Sequence, residues 1–107
     1  MERMLTFYPK LYLGEGIKET KLDKIKKKLV ENPLWANVYI LTFARNSADQ
    51  LEFFDARQLT QRFYEQRPLL VLGIAKDYED ALQLVERITR ECLNERGDCR
   101  LKEYLTC

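Results

Sequence analysis

The stretch from Leu69 to Leu93 constrains the fold more than any other part of the chain. It begins with seven residues that carry no polar side chain, Leu69–Ala75, a run too short to span a membrane and typical of a strand covered on both faces. Apolar residues then recur at helical spacing. They are Tyr78, Ala81, Leu82, Val85, Ile88, Thr89 and Cys92. The stretch predicts a central strand that leads directly into a long amphipathic helix.

Local signals mark both ends of this helix. Asp77 is a good N-cap residue, and Glu79 and Asp80 follow in the first turn, where acidic side chains favour the helix dipole. Gly97 is the expected stop. Beyond it, the charged tail Cys99–Leu105 is predicted to form an edge strand, with a frayed extension as the alternative.

The amino-terminal part predicts a strand, a turn and a helix. The strand covers about Met4–Leu13, with Phe7, Leu11 and Leu13 on one face and Tyr8 and Tyr12 on the other. Pro9 lacks a backbone donor, so this strand lies at an edge of the sheet or is bulged or split there. Gly14–Gly16 marks a turn. A helix is expected over Lys21–Glu31, opened by a capping box of Thr20 and Asp23 and ended by Asn32-Pro33.

The middle of the chain predicts a hairpin and a short helix. Asn37–Ala44 is rich in β-branched and aromatic residues, and Gln50–Asp55 can return as its partner after a turn at 45–49. A helix of two to three turns over Ala56–Gln66 then provides a crossover, which makes Leu69–Ala75 parallel to the third strand. An alternative treats residues 50–66 as an insertion.

These elements predict one globular α/β (α+β) domain over residues 1–107. The order is β-α-β-β-α-β-α, with a last strand as an optional addition, and the mixed sheet is layered with helices. The closest superfold is a variant of the ferredoxin-like split βαβ fold. A superfold of this kind carries no function of its own.

Composition excludes several classes of function. The chain has no histidine, so histidine-based triads and His-containing metal sites are absent. Three cysteines at positions 92, 99 and 107 fit neither a disulfide framework nor a zinc site, and they indicate reduced thiols. No signal peptide or membrane span is present, which favours the cytoplasm. We predict no catalytic residue, no metal and no cofactor.

The loop after the central strand is one candidate ligand site. It contains Gly73, Lys76, Asp77 and Tyr78 and lies at the carboxyl end of a strand, where ligands bind in open α/β sheets. The acids at the helix start disfavour an anion there and favour a cationic or neutral ligand. The segment Gly14–Thr20 resembles a phosphate loop only loosely, because its glycines and lysine have the wrong spacing.

The first helix carries the strongest local charge. Its lysines form a candidate basic patch for nucleic acid, although a solvated helix face is the favoured interpretation. They are Lys21, Lys24, Lys27 and Lys28. The net charge of +1 supplies no long-range attraction for nucleic acid, which is not a favoured partner.

Aromatic residues indicate a protein interface. Trp35, Tyr39, Phe43 and Phe63 are predicted to be core residues, whereas the adjacent Phe53 and Phe54 must point to opposite faces of a strand. The candidate interface residues are Phe53, Phe54 and Tyr64. The sequence therefore favours a non-enzymatic interaction or regulatory domain that binds a second copy of itself or another protein. A small-ligand sensor and a weak nucleic-acid binder are the alternatives.

Overall fold

Four strands form one mixed sheet. The computed structural model describes residues 5–44, 50–60 and 69–106. The strands are β1 (Leu5–Leu13), β2 (Tyr39–Phe43), β3 (Leu51–Asp55) and β4 (Leu69–Ala75), in the spatial order β1-β4-β2-β3. β4 is parallel to β1 and antiparallel to β2, which is in turn antiparallel to β3. The predicted α/β (α+β) class and the predicted hairpin are confirmed.

β3 and β4 form a split pair of parallel strands. Both are antiparallel to β2, which lies between them. The predicted parallel orientation is therefore confirmed in direction, although the parallel neighbour of β4 is β1. The connection begins as a 3-10 helix, Ala56–Thr60. The rest of the predicted helix, with Phe63, and the predicted turn at 45–49 lie outside the described residues.

Helical segments cover both faces of the sheet. One face packs on α1 (Leu22–Glu31) and on the 3-10 helix Pro33–Trp35; the other packs on α2 (Tyr78–Arg96) and α3 (Leu101–Thr106). Two core clusters result. The first contains Leu29, Ile40, Phe54, Val71 and Ile74, and the second contains Leu41, Leu72, Leu84, Ile88 and Cys92. β4 contributes to both, as expected for a strand without polar side chains.

β1 is an edge strand with a bulge. Among the described strands it pairs only with β4, and its register shifts between Phe7 and Tyr12. Between these two positions β1 advances by five residues while its partner β4 advances by two. β1 therefore accommodates three extra residues around Pro9. The predicted faces are confirmed, because Phe7 packs on the first cluster while Tyr8 and Tyr12 pack on the second.

The two long helices begin differently. The Asp77 side chain accepts a hydrogen bond from the Asp80 N–H at 2.9 Å, and Gly97 ends α2 with a φ of 80°. Both predicted caps are confirmed. The predicted capping box of α1 is wrong, since no side-chain cap bond forms there. A 3-10 turn over Glu19–Lys21 leads into α1 instead, which places Thr20 before the helix start.

Three other predictions need correction. The tail is the helix α3 and not a strand, because Leu101 and Leu105 are one helical turn apart and both pack on the second cluster. Trp35 is 69% exposed because the 3-10 helix turns Pro33 and Ala36 inward and Trp35 outward. Tyr39 and Phe43 are only half-buried.

The buried face of α2 also differs from the prediction. Leu84 is buried and Leu82 is 43% exposed. The face that contacts the sheet is centred on Ala81, Leu84, Ile88 and Cys92, which recur at spacings of three and four residues. Tyr78 and Leu82 therefore lie beside the core and not in it.

Candidate functional site

The loops that follow β1 and β4 lie side by side at the carboxyl ends of these strands, because the two strands are parallel neighbours. Gly14 N–H donates to the carbonyl of Ile74 at 2.9 Å. The Asp80 carboxylate, 7% exposed, accepts hydrogen bonds from Gly16 N–H at 3.2 Å and from Lys76 N–H at 2.8 Å. One buried acid thus joins both loops to the first turn of α2.

This arrangement explains the glycines that resemble a phosphate loop. A Cβ on Gly14 would lie 2.6 Å from Cγ of Asp80, so only glycine allows the carboxylate to approach. The anion held by these backbone donors is the chain's own carboxylate. Inorganic phosphate would have to displace it.

The predicted ligand-site residues divide between interior and surface. Gly73 is buried in β4, where a Cβ would meet Leu84 and Tyr12 at 3.0–3.1 Å. Lys76, Asp77 and Tyr78 are exposed. A cleft of about 350 Å³ lies beside Lys76 and Asp77. Its lining is Glu15, Gly16, Lys76, Asp77, Glu79, Asp80 and Gln83, so it is acidic, and Lys76 Nζ lies 4.0 Å from the Asp77 carboxylate.

Tyr78 belongs to a different surface, which we call the aromatic patch (Tyr39, Phe53 and Tyr78). The centroid of the Tyr78 ring lies 5.2 Å from that of Phe53, with planes at 62°, and 6.3 Å from that of Tyr39, with planes at 86°. Tyr39 and Phe53 are 6.3 Å apart. These edge contacts hold three rings from β2, β3 and α2 in one arrangement.

The aromatic patch is open to solvent. Tyr78 is 60% exposed and the neighbouring Leu82, one turn further along α2, is 43% exposed. Charged groups of both signs surround it: Arg57 Nη2 lies 2.8 Å from the Asp55 carboxylate on the side of Tyr39, and Lys76 and Asp77 precede Tyr78. The Arg57 guanidinium holds the pKa of Asp55 below its ordinary value. The surface is therefore apolar at its centre and charged at its rim.

The predicted interface residues do not all reach this surface. Phe53 forms part of the aromatic patch, whereas Phe54 is buried in the first core cluster on the opposite face. Tyr64 lies outside the described residues. Sequence reasoning assigned Tyr78 to a ligand site and Phe53 to an interface, and the structure brings the two together. The sequence did contain one indication of an exposed Tyr78, because it follows the N-cap directly and the first turn of a helix often extends beyond the core.

The side chains of the predicted basic patch are exposed to solvent. Lys21, Lys24, Lys27 and Lys28 are all exposed, and none forms an ion pair with another residue in the described ranges. A further lysine of α1, Lys26, is partly buried, with its ammonium 5.3 Å from the centroid of the Phe7 ring.

Comparison with known proteins does not assign a function. No protein-family model, curated protein or solved structure matches the chain. Within residues 5–44, 50–60 and 69–106, no group of three His, Cys, Asp or Glu side chains is arranged to hold a metal ion. In the same residues no helix has the length and apolar character required to cross a bilayer.

Proposed function

We propose that the chain is a non-enzymatic, cytoplasmic interaction domain that forms a homodimer through the aromatic patch. The observation that carries the proposal is the Tyr78 ring, which is 60% exposed yet held by ring contacts to Tyr39 and Phe53. Tyrosine is among the residues that contribute most to binding at protein interfaces.

The fixed rings favour binding because less conformational entropy remains to be lost. A free tyrosine side chain on a surface loses rotamer freedom when a partner immobilises it. At Tyr78 the contacts with Tyr39 and Phe53 already restrict the ring, and Leu82 extends the apolar area along α2. A partner therefore meets a preorganised apolar surface.

The charges around the patch suit a second copy of this chain. A two-fold dimer places the same surface against itself, so a rim of one sign would repel its copy. This rim contains the acids Asp55 and Asp77 and the cations Arg57 and Lys76. A two-fold contact can pair opposite charges across it, and the net charge of +1 adds little repulsion at long range.

A ligand sensor receives weaker support from the geometry. The cleft beside Lys76 and Asp77 contains one carboxylate, that of Asp80, that already accepts two backbone hydrogen bonds. The remaining acids, Glu15, Asp77 and Glu79, are exposed to water. This cleft lacks the apolar lining of a typical small-molecule site.

Sedimentation velocity over about 5 to 500 μM protein tests the dimer, a range that covers weak to moderate affinities. The wild type should approach the dimer mass, and Tyr78→Asp should raise the dissociation constant at least about tenfold, equivalent to roughly 1.4 kcal/mol. Trp35→Ser is the control, because Trp35 is an aromatic residue with a somewhat larger exposed fraction, 69% against 60%, and lies outside the patch. A wild type that stays monomeric throughout, or an equal effect of Trp35→Ser, would contradict the proposal.

A further inference from the structure

The bulge in β1 brings two tyrosines of that strand together. In a regular strand, residues four apart are separated by about 13 Å along the chain. Tyr8 and Tyr12 instead stack with ring centroids 6.2 Å apart and planes 10° apart. The three extra residues accommodated around Pro9 account for the shortened distance.

α3 adds a third ring beside this pair. The Tyr8 hydroxyl donates to the carbonyl of Leu105 at 3.0 Å, which fastens α3 to β1. Tyr104 then lines a cavity of about 330 Å³ together with Tyr8 and Tyr12. We call this cavity the tyrosine pocket. Its other lining residues are Lys10, Glu95 and Arg96. Its volume is at the lower end for small-molecule sites, so its occupant is small.

Glu95 is the acid that lines the pocket, and Lys10 and Arg96 are the cations. Arg96 is engaged by Asp98 at 3.1 Å and by Glu103 at 2.8 Å. Glu95, and Glu91 one turn before it on α2, form no ion pair within the part of the chain that the structure describes. Both carboxylates lie close enough to the phenols to influence them.

The phenols of Tyr12 and Tyr104 remain neutral. Burial, followed by the charge of Glu91, raises the pKa of Tyr12 well above its ordinary value. The hydrogen bond to Glu95, followed by burial, raises the pKa of Tyr104. Near neutral pH the hydroxyls of Tyr12 and Tyr104 are therefore protonated, and two uncharged rings lie beside acidic side chains. Ring faces attract cations, and the attraction is stronger where water is partly excluded.

We propose that the tyrosine pocket binds an alkylated ammonium group, with Tyr8, Tyr12 and Tyr104 contacting its methyl groups and Glu95 supplying the opposite charge. Aromatic cages recognise quaternary ammonium ligands by this chemistry. Lys10 lies at the same cavity, is exposed and has no ion-pair partner among the described residues, so its charge opposes the ligand. Lys10 thereby limits the affinity of the wild type.

Titration of the full chain with tetramethylammonium, followed by two-dimensional NMR, tests the proposal. We expect saturable shifts at Tyr8, Tyr12 and Tyr104. Glu95→Gln should weaken binding about fivefold, because the amide keeps an acceptor for Tyr104 but removes the charge. Lys10→Gln should tighten it. Glu86→Gln, an exposed residue elsewhere on α2, is the control and should leave binding unchanged.

Three further ligands test the chemistry of the pocket and the source of its ligand. The neutral isostere 3,3-dimethylbutanol should bind much more weakly than choline, because it has the same shape without the charge. Choline and a capped trimethyl-lysine then compare a free quaternary ammonium ion with a modified side chain, and binding of either supports the pocket. The proposal would be overturned if the neutral isostere bound as tightly as choline, if Glu95→Gln bound tetramethylammonium as tightly as the wild type, or if tetramethylammonium gave no saturable shifts.

The pocket and the proposed dimer surface can fail separately. Tyr78 and Glu95 lie near opposite ends of α2, about 25 Å apart at the rise of a helix. Tyr78→Asp should therefore leave tetramethylammonium binding intact, and Glu95→Gln should leave sedimentation intact.

Discussion

At the scale of single residues, Asp80 connects three segments of the chain. Its buried carboxylate accepts hydrogen bonds from the backbone of Gly16 and of Lys76, and the residue lies in the first turn of α2, the helix that covers the second core cluster. A buried donor that loses its acceptor costs more than the bond itself is worth. The consequences of removing this carboxylate can therefore be separated from those of removing any surface acid.

Asp80→Ala should lower the free energy of unfolding by about 2–3 kcal/mol, since two backbone donors lose a charged acceptor. Asp80→Asn should cost less because one amide oxygen remains. Gly14→Ala should resemble Asp80→Ala, as its methyl group would displace the carboxylate. Urea denaturation measures all three. The control is Glu79→Ala in the same turn, and an equal loss in Glu79→Ala would contradict this account.

The cysteines should differ sharply in reactivity. Cys92 is fully buried and its Sγ donates to the carbonyl of Asp98 at 3.3 Å, whereas Cys99 is exposed. Burial, followed by the charge of Asp98, raises the pKa of the Cys92 thiol. The stability contributed by this neutral thiol is therefore complete below its unfolded pKa, about 8.5, and is lost as pH rises above it.

In a Cys107→Ser background at neutral pH, we expect an aromatic disulfide reagent to modify Cys99 at once and Cys92 only after unfolding. Raising the pH above about 8.5 should also lower the free energy of unfolding of this Cys107→Ser chain. The decrease should be smaller in the same chain with Cys92→Ala, because that chain lacks the buried thiol. Cys99→Ser serves as the control that removes the fast thiol. Reaction of Cys92 at the rate of Cys99 would refute the prediction.

At the scale of elements, α3 depends on a residue from the start of β3. The Gln50 side chain accepts from Leu101 N–H at 2.6 Å and donates to the carbonyl of Cys99 at 2.8 Å. A helix of six residues has little stability of its own. Its position therefore rests on Leu101, Leu105 and this amide bridge.

Gln50→Ala should lower the free energy of unfolding by about 1 kcal/mol, because the bridge is exposed to water. It should also increase amide exchange within α3, measured by NMR at the Tyr104 amide, which is bonded to Arg100. Gln58→Ala, exposed and outside this bridge, is the control. Unchanged protection in α3 would show that the bridge does not hold it.

Elements whose signals are local could be predicted from the sequence. β4 matches its apolar run, and both caps of α2 follow from Asp77 and Gly97. α3 and Trp35 were predicted wrongly, because their environments depend on contacts with distant residues. Gln50 is 49 positions from Cys99, and Trp35 points outward only because a 3-10 turn directs its neighbours into the core.

The two candidate surfaces required the assembled sheet. Tyr78 follows β4, and Phe53 lies in β3 on the other side of β2. The two rings therefore meet only after β4 has paired with β2 in the sheet. Tyr8 and Tyr12 were placed on the same face, but their stacking depends on a three-residue register shift that Pro9 alone does not specify. Alternation in a sequence assigns faces; it does not assign the distances between rings.

At the scale of the whole molecule, α2 organises the accessible surface. Its buried side completes the second core cluster, its amino end contributes Tyr78 to the aromatic patch, and its carboxyl end contributes Glu95 to the tyrosine pocket. Because helical segments cover both faces of the sheet, the proposed interactions lie where strand residues meet the two ends of α2. A dimer formed at one end leaves the pocket at the other end open.

The bulge around Pro9 also affects how copies of this chain can aggregate. A free strand edge is a template on which further chains add, one after another, into fibrils. At the edge formed by β1, Pro9 offers no N–H donor, Lys10 adds a charge, and the three extra residues disturb the hydrogen-bond spacing that an incoming strand needs. These features disfavour the addition of a further strand at this edge, so growth of a fibril from it should be slow.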